Sequence, residues 1–170
     1  MKDIIQNIAV TTFPDITKVE FIKINKNYLK VILINVFLFF ILFFTGLVLV
    51  HQFVFPQEVN EFIIQIYSVF IAILGFIIWY LILSFTQRKY ALREKDISYK
   101  SGLLAKKLTT VPFSRIQHVE KDEKPISRIF GLSSLSVYTA GDSSDDLVIK
   151  GITKKTALKI KEFITTKINE

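Results

Sequence analysis

Two unbroken apolar stretches divide the chain. Val31 to Val50 runs 20 residues and Ile63 to Phe85 runs 23 residues without a charged side chain. At a helical rise of about 1.5 Å per residue the shorter stretch reaches about 30 Å, the thickness of a bilayer hydrocarbon core, so each predicts a spanning helix. Two buried helices of a soluble fold are the alternative, but too little chain is left over to cover them. Beyond Phe85 the pattern changes to short alternating runs broken by turn residues. Tyr90–Arg93, Ile97–Lys100, Lys107–Val111, Ile116–Val119, Ser134–Thr139 and Leu147–Lys150 each read as a strand. Six or seven such strands predict an antiparallel sandwich or small barrel. The last segment switches period again: Ala157, Ile160, Ile164 and Ile168 recur every three or four residues, which predicts an amphipathic helix. Thr153 is placed to cap that helix, and Ile152 to pack on Ala157. Its other face carries Lys154, Lys155, Lys159 and Lys167 and reads as a solvated surface, with membrane docking as the alternative.

The fold class expected is therefore an α+β membrane protein: an N-terminal segment over 1–27, a helical hairpin over 28–86, and a β-sandwich with a helical cap over 87–170. Composition agrees, since 51% of the 170 residues are hydrophobic and the mean hydropathy is +0.41, which excludes a disordered or purely cytosolic chain. The net charge is +7, and no Lys or Arg lies between Val31 and Gln87. Lys18, Lys23, Lys26 and Lys30 precede the first span, while Arg88, Lys89, Arg93 and Lys95 follow the second. The positive-inside rule then sets both termini in the cytoplasm and the link 51–62 outside. Tyr28, Trp79 and Tyr80 fall towards the cytoplasmic ends, at the level aromatic rings prefer. The first span begins too far from the N-terminus, and is too long, for a cleaved signal peptide. Within residues 1–27, Phe13-Pro14-Asp15 marks a turn. Val19, Phe21 and Ile24 suggest an extended segment that either lies along the membrane or completes the sheet.

Each span carries one amide. Asn35 is near the cytoplasmic end of the first and Gln65 near the external end of the second, so in an antiparallel hairpin they cannot meet. Thr45 lies at the depth of Gln65, and the Trp79 indole at that of Asn35. We read these as helix–helix contacts rather than a transport pathway, because neither amide ionises. Ser68, Ala72 and Gly75 form a small-residue face on the second helix, suited to close approach of the first helix or of a second copy.

Chemistry-bearing constellations are sparse. There is no cysteine, and the two histidines, His51 and His118, fall on opposite sides of the membrane in this topology. No glycine-rich phosphate loop precedes a helix. Asp142, Asp145 and Asp146 lack the spacing of a calcium loop and read as a solvated hairpin. No selectivity filter or charged ring marks a channel, and no nucleic-acid motif accompanies the basic balance. The expectation is no enzyme, no cofactor and no metal. Arg115 and Gln117 flank Ile116, so strand alternation sets both on one face, for a structural hydrogen bond or for ligand contact.

In order along the chain, Tyr90-Ala-Leu-Arg-Glu-Lys-Asp-Ile-Ser-Tyr-Lys-Ser-Gly102, Val111-Pro-Phe-Ser-Arg-Ile-Gln-His-Val119, Ser127-Arg-Ile-Phe-Gly-Leu132 and Ser136-Val-Tyr-Thr-Ala-Gly141 resemble the bacterial membrane-flanked pleckstrin-homology (PH) domain family of the YdbS-like type. The resemblance covers about residues 88–168 and fits the preceding hairpin. It implies a seven-stranded sandwich capped by one helix at the bacterial cytoplasmic membrane. The residues themselves read structurally: Ser101-Gly102 as a turn with positive φ, Pro112 as a strand end, and Arg128 to Gly131 as a helical turn with Phe130 plugging the core. Two functions are expected. The first is a non-catalytic adaptor or assembly subunit that binds a membrane protein partner, or a further copy of itself, through sandwich edges. The second is an anionic-lipid sensor. PH domains outside bacteria bind inositol phosphates around the first hairpin, but here that turn is Glu94-Lys95-Asp96, so Lys100, Lys106 and Lys107 are the candidate lipid-facing patch.

Overall fold

A computed structural model describes residues 20–53, 62–140 and 147–169. Two helices, α1 (Asn27–Phe53) and α2 (Ile63–Thr86), are long and apolar enough to cross a membrane, by length and composition. Asn25 opens α1 by accepting the Asn27 N–H on its Oδ1 at 2.9 Å. The two helices pack antiparallel through aromatic rings: Phe40 on Phe70 at 5.1 Å, and Phe44 on Tyr67 at 5.7 Å. At the far end His51 Nδ1 and Tyr67 Oη are hydrogen-bonded at 3.1 Å.

Asn35, Thr45 and Ser68 hydrogen-bond within their own helices rather than across the hairpin. Asn35 Nδ2 donates to Val31 O at 2.7 Å, Thr45 Oγ1 to Ile41 O at 2.9 Å and Ser68 Oγ to Gln65 O at 2.8 Å. The expected pairings of Asn35 with Trp79 and Thr45 with Gln65 are therefore corrected: a carbonyl one turn back is always within reach, whereas a cross-helix partner needs a matched depth and rotation. Trp79 is 58% exposed and lies against Phe76 instead. Ser68, Ala72 and Gly75 are all exposed, and a Cβ at Gly75 would meet nothing within 4 Å, so this face does not join the hairpin.

Among the described residues seven strands form two antiparallel sheets. The first has the order β1 (Ile22–Lys23), β2 (Lys89–Leu92), β3 (Asp96–Ser101), β4 (Lys107–Pro112). The second has β5 (Ile116–Asp122), β6 (Leu132–Thr139), β7 (Leu147–Thr153). Of the two readings open for the segment before the helices, completion of the sheet is the observed one: Ile22 and Lys23 oppose Tyr90 and Lys89, and Ile24 is buried in the core. The chain thus supplies one strand, leaves for the hairpin, and returns beside that strand. The Asp142, Asp145 and Asp146 cluster lies outside the described residues.

Between the sheets lies one hydrophobic core, built from Tyr90, Ile97, Val111, Leu135, Val137 and Ile149 among others. Alternation explains their placement, because Ile97 and Tyr99 point into the core while Ser98 and Lys100 are on the other face of the sheet, where the Ser98 hydroxyl is buried against Thr110. The final helix, α4 (Lys154–Asn169), closes the sandwich with Ala157, Ile160 and Ile164, each at most 4% exposed. Thr153 Oγ1 accepts the Thr156 N–H at 3.2 Å, the expected cap, and Ile152 joins Ala157 in the core. A short helix, α3 (Pro125–Ile129), precedes β6; the residue it buries is Ser127, while Phe130 is half-buried and outside the core, so its expected role as core plug is corrected. Gly102 and Gly131 both take positive φ, +94° and +66°, as the turns they end require.

Candidate functional site

The predicted basic patch does not form one surface. Lys107 opposes Ser101 while Lys100 opposes Leu108, and adjacent residues on a strand point to opposite faces. Lys100 and Lys107 therefore project from opposite sides of the first sheet, with Lys106 in the exposed turn between β3 and β4. Lys100 has other company. It lies directly opposite Lys89 on β2, and Lys89 opposite Lys23 on β1, which gives a row of three lysines across the sheet's outer face. Cross-strand neighbours sit about 5 Å apart, and like charges at that spacing repel. None of the three has an ion-pair partner among the described residues. Lys23 stands just before α1 and Lys89 just after α2, so the row runs along the feet of the hairpin.

Arg115 and Gln117 are also separated by the structure. Arg115 ends a 3-10 turn, Phe113–Arg115, and Gln117 sits in β5 where the register slips between Ile116 and His118. Both are exposed, and the strand alternation that would align them starts only after the turn. The Arg115 carbonyl accepts the Ala140 N–H at 3.2 Å, which is a structural role for its backbone. His118 is capped at the surface: its ring stacks on Tyr138 at 4.3 Å, and Tyr138 Oη donates to Glu120 at 3.2 Å.

The concave site lies elsewhere, where α1 meets the sandwich. It begins with a bulge. Ser133 opposes Ile152 and Ser134 opposes Lys150, which leaves Gly151 as the extra residue of β7, with φ +80°. Its carbonyl accepts the Asn25 N–H at 2.9 Å, and the Tyr28 ring packs where a Cβ would stand. The foot of α1 is thereby seated on the bulge.

Beside that seat is a cleft of about 370 Å³. Tyr28, Val31 and Asn35 of α1 form one wall. Lys124 and Ser127, ahead of and within α3, form the second; Ser133, Ser134 and Lys150 complete it from the sheet. Ser127, Ser133 and Ser134 are each at most 9% exposed. The Ser134 hydroxyl donates weakly to Asp122 O and that of Ser133 to Glu123, both at 3.5 Å, whereas the Ser127 hydroxyl makes no hydrogen bond among the described residues. Lys124 and Lys150 reach solvent and form no ion pair there. Glu123 is already engaged by Lys154 at 2.8 Å and Lys121 at 3.0 Å. Those hydrogen bonds lower its carboxyl to about 2. Sequence reasoning missed this cleft because Ser134 and Ser136 look like the wet face of a strand, although β6 is buried on both sides.

A hairpin of two apolar helices, two antiparallel sheets and a helical cap, with a cleft of hydroxyls and ammonium groups beside the hairpin's foot, define a PH-like fold of the kind that serves as a binding module. The family model described as "Bacterial PH domain" matches residues 31–168, and the chain belongs to that family. The match takes in both apolar helices and ends in α4, but begins after β1. No curated protein and no solved structure matches the chain.

Proposed function

We propose that the protein is a non-catalytic binding module, anchored in the bacterial cytoplasmic membrane by its hairpin with both termini cytoplasmic, that serves as an adaptor or assembly subunit for a membrane protein partner. The observation that carries this reading is the outer edge of β4. Among the described residues no strand pairs with it, so it offers six residues of backbone groups to an extended peptide. Lys107 at one end and Pro112 at the other discourage open-ended strand stacking, through charge and a missing N–H. Leu104, 84% exposed, and Leu108, 47% exposed, add apolar contact beside that edge. The exposed Ser68, Ala72 and Gly75 face leaves room for a partner's helix or a second copy. Crosslinking mass spectrometry on native membranes tests the reading. A reproducible heterologous partner joined through Lys106 or Lys107 is the expected result, and a chain recovered alone and monomeric from mild detergent overturns it.

A second reading, an anionic-lipid-sensing module, is favoured by the Lys23, Lys89 and Lys100 row. Three uncompensated cations at the feet of the hairpin suit a negatively charged leaflet, at about 1 kcal/mol for each basic group close to the surface. In mixed nanodiscs, phosphatidylglycerol should be enriched around the full chain over phosphatidylcholine, and high salt should abolish the enrichment. Equal enrichment at low and high salt removes this reading.

A further inference from the structure

We propose that the cleft at the foot of α1 binds one anionic phospholipid, whose phosphate is held by Lys124, Lys150 and the Ser127 hydroxyl. The inference rests on the hairpin spanning the bilayer and is independent of the protein partner.

The donor set selects the ligand's chemistry. Lys124 and Lys150 both line the cleft and are donors without a carboxylate partner among the described residues. Ser127, 8% exposed, carries a hydroxyl that has found no acceptor in the protein. That hydroxyl opens into the cleft, because no buried side-chain polar atom among the described residues lacks a partner, and it is free to donate to a group that enters. Two ammonium groups and a hydroxyl call for an acceptor-only, negatively charged group, which is a phosphate. The neighbouring carboxylate does not oppose this, because Glu123 is held between Lys121 and Lys154.

The cleft's length selects a lipid over a free anion. It continues along α1 past Tyr28 to Val31 and Asn35, about 10 Å of helix at 1.5 Å per residue. Val31 is where the charge-free run begins, so this wall passes from headgroup depth to the edge of the hydrocarbon. Asn35 spends one amide hydrogen on Val31 O and keeps the other, at the depth of a glycerol ester carbonyl. Phosphate at the lysine end and ester at the asparagine end match the two polar levels of one phospholipid.

The test is native mass spectrometry of the full chain, delipidated in mild detergent and titrated with phosphatidylglycerol or phosphatidylcholine. One phosphatidylglycerol per chain is expected, retained over phosphatidylcholine. Lys124→Gln with Lys150→Gln should weaken it by roughly tenfold or more, while Lys124→Arg with Lys150→Arg should not. Equal retention of the two lipids, or unchanged retention in the double glutamine variant, overturns the proposal. So does displacement of the lipid by inorganic phosphate alone, which would make this a free-anion site. Carbonate washing of native membranes separates the premises: a chain that stays in the membrane yet binds no lipid defeats the cleft, whereas a chain that is extracted defeats the anchored reading itself.

Discussion

Gly151 is where the foot of α1 is seated on the sandwich. Its φ of +80° is open to glycine and strained for any other residue, and the Tyr28 ring occupies the space of a side chain. Gly151→Ala should destabilise the chain by about 1–3 kcal/mol through strain, with the overlap on Tyr28 in addition. Pairing it with Tyr28→Ala should cost less than the two single changes summed, since the double variant removes the overlap; additive losses in thermal unfolding would refute the contact. Glu123 gives a pH signature. Its carboxyl is lowered from 4.5 to about 2 by Lys154 and Lys121, so its stabilisation is complete above 4.5 and fades as pH falls through about 2. The native chain should therefore lose its advantage over Glu123→Gln across that window, as read by unfolding temperature in detergent at each pH. At this scale the sequence was legible where one residue type answers one backbone demand, as at Thr153 and Gly102. It was not legible at Asn35 or Ser127, whose partners depend on rotation and packing that no spacing encodes.

Elements were legible in proportion to their periodicity. The period of α4 names its buried residues in advance, and Ile164, fully buried, is the most central of them. Ile164→Ala should cost about 2–5 kcal/mol, because the removed atoms leave a cavity between α4 and both sheets. Accelerated limited proteolysis of the sandwich checks it, with Leu158→Ala, at a 47% exposed position, as a control expected to change little. Alternation likewise placed β3 and β4, but it failed where the period is broken. The 3-10 turn before β5 took Arg115 out of register with Gln117, and the bulge in β7 made a seat for α1. A bulge adds one residue without altering composition, so the strand reads as regular until its partner is known.

At the scale of the whole molecule, the sandwich is interrupted rather than preceded by the hairpin. Residues 87–170 lack β1 and the buried Ile24, so that fragment should be less stable than one in which residues 20–26 are joined to it by a short glycine linker. Equal unfolding midpoints for the two would mean that β1 contributes nothing to the core. The family match, which starts at residue 31, passes over this strand, as a two-residue pairing gives almost no periodicity to detect. The same pairing fixes an order of events during synthesis. Ile22 and Lys23 leave the ribosome first, yet Tyr90 and Lys89 emerge only after both apolar helices have been made. Until then the early strand waits with one face unpaired, and closing that long loop in free solution would carry a large entropic cost. In the proposed anchored arrangement, insertion of the hairpin into the bilayer would bring the two strands to one place, and the membrane itself would be the template on which the sheet is finished.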